Sequence, residues 1–160
     1  MTKSNIPFVG LHAHSVAGSP FDALGYPPEH MDYAYENGSD ALALTDHGNM
    51  NGLSYQVLHA KKLHAEGKEF KPIFGVEAYF LPDLREWRKE YEEVKADKKR
   101  KRELAKQTGM AIEEEGASKS GTRNILNRRR HLILLAQNQT GLNNIYSMIS
   151  KSHDEENHYR

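Results

Sequence analysis

Four short apolar runs constrain the fold of this chain more than any other feature, because three of them end in residues able to bind a metal ion. Phe8-Val9-Gly10-Leu11 runs into His12-Ala13-His14, Ala41-Leu42-Ala43-Leu44 into Thr45-Asp46-His47-Gly48, and Lys71-Pro72-Ile73-Phe74-Gly75-Val76 into Glu77. Runs this short and this apolar read as strands covered on both faces. Between them the period changes. Pro27-Pro28-Glu29 can open a helix through Tyr33 and Ala34 that stops at Asn37-Gly38. Leu53, Val57, Leu58, Ala60, Leu63 and His64, spaced three and four apart, mark a second helix before Gly67. Strands alternating with helices imply an α/β fold around a mostly parallel sheet or barrel, where functional residues gather at the carboxyl ends of the strands.

The fourth run, His131-Leu132-Ile133-Leu134-Leu135-Ala136, leads into a helix with Thr140 as its cap and Leu142, Ile145, Tyr146 and Ile149 on one face. Before it the rhythm breaks. Asp83 to Lys106 is rich in Glu, Lys and Arg around Trp87, Tyr91, Val94 and Leu104, which predicts a long solvated helix inserted into the fold. Glu113 to Gly121 reads as a flexible turn or loop. The expected organisation is three βα units over 1–82, a charged helical insertion and loop over 83–130, a fourth βα unit over 131–151, and a polar tail over 152–160.

Charge sharpens that division. The chain has 22 basic and 22 acidic residues, so overall charge alone would not hold it on nucleic acid or an anionic membrane. Residues 1–80 carry 5 basic and 9 acidic side chains, 81–130 carry 15 and 10, and 131–160 carry 2 and 3, which makes the middle basic. The absence of Cys excludes disulfides and thiolate metal sites, leaving His and carboxylates as ligands. No apolar run approaches the roughly 20 residues that span a bilayer, and no hydrophobic segment follows the first residues. The expectation is a soluble, cytoplasmic protein with no membrane partner.

His12 and His14, two apart in extended chain, project to the same side, which is chelating geometry for a divalent ion such as zinc. Asp46 precedes His47 and can orient its ring. Glu77 directly follows a buried run, an unusual place for an unpaired carboxylate. Each has a plainer reading as a surface histidine or a strand-terminal acid in solvent. Together, three consecutive strand ends place five potential ligands on one face without sulfur. His131 begins its run instead of ending it, so position alone sends it to the opposite end of a parallel barrel. His30, His59 and His64, on or beside helices, read as structural or surface residues, and Trp87 and Tyr91 as packing for the insertion.

The stretches Phe8 to Ser15, Ala41 to Met50, Lys71 to Tyr79 and His131 to Ile145 resemble the amino-terminal PHP (polymerase and histidinol phosphatase) domain of bacterial replicative DNA polymerase III alpha subunits. His-x-His and Thr-Asp-His-Gly are general to PHP phosphoesterases. Gly-Asn-Met, Glu-Ala-Tyr and His-Leu…Ala-x-Asn-x-x-Gly-x-x-Asn are characteristic of the polymerase branch. The resemblance implies a distorted (β/α)7 barrel, of which this chain would supply the first half, holding up to three divalent ions (zinc, manganese or iron). By similarity His12 and His14 hold one ion, Glu77 bridges it to a second that His131 also binds, and Asp22 with His47 holds a third. Asp22 requires a one-residue shift, since Ala17-Gly18-Ser19-Pro20-Phe21 precedes it and Ala23 follows it. Asp46 and Glu77 are the candidate catalytic carboxylates.

The implied chemistry is metal-dependent phosphodiester hydrolysis, a 3′ to 5′ exonuclease that removes misincorporated nucleotides. The implied partners are DNA and the remainder of the polymerase, in cis or in trans. Arg128, Arg129 and Arg130, just before His131, are candidates for contact with DNA phosphates. Lys98 to Arg102 read equally as a phosphate-binding or a solvated face. The family's later motifs, a Cys or His and then Asp-x-His, are absent from these 160 residues, so the expectation is half a barrel with each ion short of one ligand. A non-catalytic structural module of the polymerase and a free-standing phosphoesterase are the alternatives.

Overall fold

The computed structural model describes residues 8–109 and 130–157. In chain order the elements are α1 (Pro27–Glu36), β1 (Ala41–Leu44), α2 (Leu53–Ala65), β2 (Lys71–Tyr79), α3 (Leu84–Thr108), β3 (His131–Leu135) and α4 (Gln139–Ser152). They fall into two units, one of residues up to Tyr79 and from His131 onward, the other Phe80–Arg130. The expected loop at Glu113 to Gly121 lies outside the described residues.

In the first unit, β1 and β2 pair in parallel, from Ala41 opposite Lys71 to Leu44 opposite Phe74. Helices α1 and α2 cover them. Met31, Ala60, Leu63 and Phe70 form the buried centre, with Ala34, Tyr35 and Leu42 packed against it. The two helices are bounded as their sequences predict: Pro27 starts α1 and Asn37 caps its end, while α2 stops two residues before Gly67. The buried face of α2 runs through Gln56, Ala60 and Leu63, while Leu58 is exposed. Gln56 donates its side-chain amide to the Ile73 carbonyl at 3.2 Å, so this buried polar group is satisfied on the sheet.

Four expectations need correction. The run expected as the first strand is held to β1 by one parallel bridge, Gly10 to Leu42. The Ala43 and Thr45 N–H groups donate to the Gly10 and Ala13 carbonyls, both at 2.8 Å. Among the described residues that run pairs with β1 alone, and Phe8 and Leu11 stay exposed. The strand expected to end at Glu77 continues to Tyr79, because its second half gains a new partner in β3. That partner is antiparallel, from Gly75 opposite Leu135 to Tyr79 opposite His131, so the sheet, of order β1-β2-β3, is not wholly parallel. The cap of α4 is Asn138, whose side chain accepts the Gly141 N–H at 2.9 Å, and Thr140 lies inside the helix.

β2 therefore gains a second neighbour at its middle while the chain after β1 stays bridged to its first edge, and Gly75 marks the place. A Cβ there would sit 2.6 Å from the Leu134 carbonyl oxygen and 3.0 Å from Thr45 Cγ2, so the strand can lie this close to both neighbours only without a side chain. The second unit is described by α3, 25 residues with none buried. Asp83 caps it, accepting the Arg85 N–H at 2.8 Å and the Glu86 N–H at 3.0 Å. Trp87 and Tyr91 stack on one another at 4.8 Å. Asp97 pairs with Arg100 at 2.5 Å and Lys101 at 3.0 Å along the same helix, the contacts of a solvated helical surface.

Candidate metal centre

The antiparallel turn of β3 decides the composition of the site. A histidine that begins an apolar run would lie far from the strand ends in a parallel sheet. Antiparallel pairing instead sets His131 beside Tyr79, at the carboxyl end of β2. At that end β1 gives way to Asp46 and His47, held by a bridge between His47 and Glu77. The Glu77 N–H donates to the Asp46 carbonyl at 3.0 Å, and the Gly48 N–H to the Glu77 carbonyl at 2.9 Å. Glu77 is thus an interior strand residue, fully buried, and four histidines meet its carboxylate.

Each Glu77 oxygen faces a different pair. Oε2 lies 2.5 Å from His12 Nε2 and 3.3 Å from His14 Nε2, and the two imidazole nitrogens are 3.1 Å apart. Oε1 lies 2.9 Å from His47 Nδ1 and 2.5 Å from His131 Nδ1. Although these nitrogens are close, Oε1 has no hydrogen bond of acceptable direction. Ligand atoms that converge on a common point have the geometry seen at Oε1, near one another but not aimed at one another, whereas Oε2 is hydrogen-bonded to His12 Nε2. His12, His14 and Glu77 offer one ligand atom each within 4.8 Å of one another, a nitrogen and oxygen set suited to zinc, manganese or iron.

Asp22 joins through His47, its Oδ2 lying 2.7 Å from Nε2. That hydrogen bond to His47 is the chief reason its carboxyl is held below the usual aspartate range. His14 stacks on His47, ring centres 4.3 Å apart and 14° from coplanar. Burial, and next the neighbouring His47, lower its pKa and favour the neutral ring that a metal ligand requires. All six residues that the sequence reading assigned to metal, His12, His14, Asp22, His47, Glu77 and His131, are therefore brought together.

Asp46 is placed differently from its expected role beside the His47 ring. Its Oδ1 accepts the Ser15 N–H at 2.6 Å and the Ser19 hydroxyl at 3.0 Å, and its Oδ2 accepts the Ser15 hydroxyl at 2.8 Å. Ser19 Oγ in turn accepts the His47 N–H at 3.1 Å. The carboxylate points away from the imidazole because the loop after His14 presents three donors that burial would otherwise leave unpaired. Asp46 straps that loop to β1, and Gly18 allows it, since a Cβ there would lie 2.6 Å from Asp46 Cβ. Of the arginines, Arg128 and Arg129 lie outside the described residues. Arg130 is exposed, and its carbonyl accepts the Phe80 N–H at 2.8 Å. His59 and His64 are structural, meeting Asp32 Oδ1 at 2.7 Å and the Phe70 carbonyl at 2.8 Å.

Sequence reasoning missed Tyr79. Two residues beyond Glu77 on the same strand, its hydroxyl lies 3.2 Å from His47 Nδ1. Its ring stacks on His47 at 5.9 Å and meets His131 edge-on at 5.3 Å. The available signal was the two-residue period of a strand, which carries one face from Glu77 to Tyr79; it was hidden because the strand was ended too early.

An α/β sheet bearing a His and carboxylate cluster at its strand ends defines a candidate metal-binding domain, and comparison with known proteins gives its family. The PHP domain family matches residues 10–160, and the chain belongs to that family. Relatives of this chain are DNA polymerase III proteins. The DNA polymerase III subunit alpha of Treponema pallidum is 32% identical over 158 residues, 98% of this chain and 10% of the relative. That of Saccharopolyspora erythraea is 32% identical over 146 residues, 91% of this chain and 11% of the relative. The PolC-type DNA polymerase III of Thermotoga maritima is 42% identical over 84 residues, 52% of this chain and 6% of the relative. The chain thus spans about a tenth or less of the length of these relatives. An amidohydrolase structure from Chromobacterium violaceum shares 27% identity over 46% of this chain and 23% of its own, with a TM-score of 0.38, too loose a superposition to define the barrel. Among the described residues no helix is long and apolar enough to cross a membrane.

Proposed function

We propose that this chain is the PHP portion of a DNA polymerase III alpha-like protein, acting in the cytoplasm as a metal-dependent phosphodiesterase that removes nucleotides from DNA 3′ ends. The observation that carries this reading is the buried Glu77 carboxylate, one oxygen turned to His12 and His14 and the other, without a hydrogen bond, to His47 and His131. A buried carboxylate in that state costs free energy unless a cation completes it. His12, His14 and Glu77 would hold one ion, Glu77 and His131 a second, and Asp22 with His47 a third. Bound divalent ions supply a water acidic enough to attack near neutral pH and positive charge opposite the phosphoryl oxygens.

The remaining work falls to the chain. Glu77 keeps the two histidine pairs at a fixed separation, because its backbone is locked between the end of β1 and β3. Asp46 holds the loop that carries Asp22 toward His47. Asp22, on an exposed position beside the histidines, is the carboxylate most open to a substrate. Arg130 and its two predecessors in sequence are the proposed phosphate contacts.

A second reading rests on the hydrogen bonds His47–Asp22 and His12–Glu77, at 2.7 and 2.5 Å. They let the cluster hold together as a non-catalytic module of the polymerase. Metal analysis and release of nucleotides from a 3′-labelled oligonucleotide, with the chain alone and co-expressed with downstream polymerase sequence, separate the two. Stoichiometric metal and chelator-sensitive release support the enzyme. Metal-free, inactive protein in both preparations would leave the structural module. Turnover of a generic phosphomonoester by the chain alone would point instead to a free-standing phosphoesterase.

A further inference from the structure

We infer that one face of helix α3 binds the phosphate backbone of duplex DNA, a site that rests on DNA being the substrate proposed above. From Lys95 the helix brings Lys98 and Lys99, then Arg102, then Lys106 to the same side at steps of three and four residues, and all five are exposed. The acids Glu86, Glu90, Glu93 and Asp97 follow the same spacing on the opposite side. Glu92 and Glu103 border the row, Glu92 Oε1 lying 3.8 Å from Lys95 Nζ. Among the described residues no ion pair ties up Lys98, Lys99, Arg102 or Lys106.

That placement opposes what helix stability would select. Residues one turn apart face each other, and like charges there repel. Arg102 has Lys98 and Lys99 one turn before it and Lys106 one turn after, and Lys95 faces both Lys98 and Lys99. The cations that α3 uses for its own stability, Arg100 and Lys101, lie off the row and pair with Asp97 at 2.5 and 3.0 Å. A rigid row of unneutralised cations, about 17 Å long at 1.5 Å per residue, is complementary to a duplex, each strand of which carries a charge about every 3.4 Å along the axis. Its composition selects phosphate over a protein partner. Lysine is depleted in protein interfaces, where tryptophan, tyrosine and arginine supply the anchors. Four of these five cations are lysine, point charges that hold phosphate without reading sequence.

Two triple variants of the full chain remove equal charge from different sides. Lys95→Gln with Lys99→Gln and Arg102→Gln breaks the row; Lys89→Gln with Arg100→Gln and Lys101→Gln leaves it intact. Every substituted side chain is exposed, so neither variant should disturb the fold. Binding to a fluorescent DNA duplex of mixed sequence is read by anisotropy over a series of salt concentrations, in EDTA so that no hydrolysis intervenes. The row variant should lose about tenfold or more in affinity at low salt, and the slope of log K against log salt should become shallower by about 0.9 for each contact removed. The second variant should match the wild type. No binding by the wild type, or equal loss in both variants, would overturn the inference, the latter by showing that total charge and not the row is what counts. Unchanged DNA binding by the row variant would also overturn it, leaving that face to an acidic protein partner or to solvent. Row-dependent binding by a protein that holds no metal and has no nuclease activity would keep the site and sink the hydrolytic reading; nuclease activity with row-independent binding would do the reverse.

Discussion

The strand-end cluster and helix α3 are held by opposite kinds of contact. Among the contacts described for it α3 is local: its cap reaches two and three residues ahead, its ion pairs span three or four residues, and it buries none of its side chains. The cluster is assembled across long stretches of chain, His12 meeting Glu77 across 65 residues and Asp22 meeting His47 across 25. A locally held element tolerates substitution piecemeal, whereas a cluster set by strand register fails as a unit.

That contrast can be broken or sharpened by experiment. The largest effect is expected from Phe70→Ala, which empties the centre shared by α1, α2 and the sheet and should cost about 3–5 kcal/mol. Urea unfolding should show the loss, and hydrogen exchange should show protection lost in β1 and β2 with α3 unchanged. Equal loss of protection in α3 would mean that it depends on that core after all. Glu77→Gln alters the carboxylate proposed to be shared between two ions. Bound metal measured after dialysis should fall more than 100-fold in affinity, since altering groups that merely support ligands already costs about 10–100-fold. Asp46→Asn leaves part of the Ser15 and Ser19 network unpaired, at about 1–3 kcal/mol. It should also weaken metal binding although Asp46 is not a proposed ligand. Unaltered metal affinity would mean that the loop keeps Asp22 in place without its strap.

The smallest effect belongs to α3. Asp83 and Asp97 both have lowered pKa values, Asp83 because it accepts backbone N–H groups of Glu86 and Arg85, Asp97 because of Lys101 and Arg100. A lowered carboxyl pKa stabilises the folded form above the unfolded value of 3.8 and is lost as the pH falls through the lower folded value. Helical ellipticity should therefore decline on acidification below about pH 4, by roughly the first turn, and less so in Asp83→Ala, which has lost its cap already. Ellipticity indifferent to both changes would show that α3 is not held by these local terms.

The same contrast explains what could be read from the sequence. β1, the ends of α1 and α2, and the long charged helix were legible because each is encoded by neighbours: a short apolar run, a proline start, a glycine stop, a dense charge pattern. The residues of the cluster were legible as types at run ends, and the family resemblance supplied Asp22 and His131. Their arrangement was not legible. Whether β3 runs parallel or antiparallel depends on which edge of β2 is free, and no local pattern around His131 records that. The same choice extends β2 past Glu77, buries that carboxylate and brings Tyr79 into the site. Asp46 adjoins His47 in sequence, yet consecutive residues leave an extended chain on opposite sides, and three donors from Ser15 and Ser19 claimed its carboxylate.

The antiparallel pairing of β2 with β3 has one more consequence. It makes the pair a hairpin whose loop is the segment from Phe80 to Arg130, closed at its neck by the 2.8 Å hydrogen bond from the Phe80 N–H to the Arg130 carbonyl. A hairpin register is set by its neck, and closing a flexible loop costs only about 0.6 kcal/mol more for each doubling of its length. The segment can therefore lengthen, shorten or be exchanged between relatives while His131 stays opposite Tyr79. For an engineer it is a cassette, replaceable by a tight turn or a foreign domain without moving the histidine and carboxylate cluster, so that loss of the proposed phosphate contacts on α3 and at Arg128 to Arg130 could be read separately.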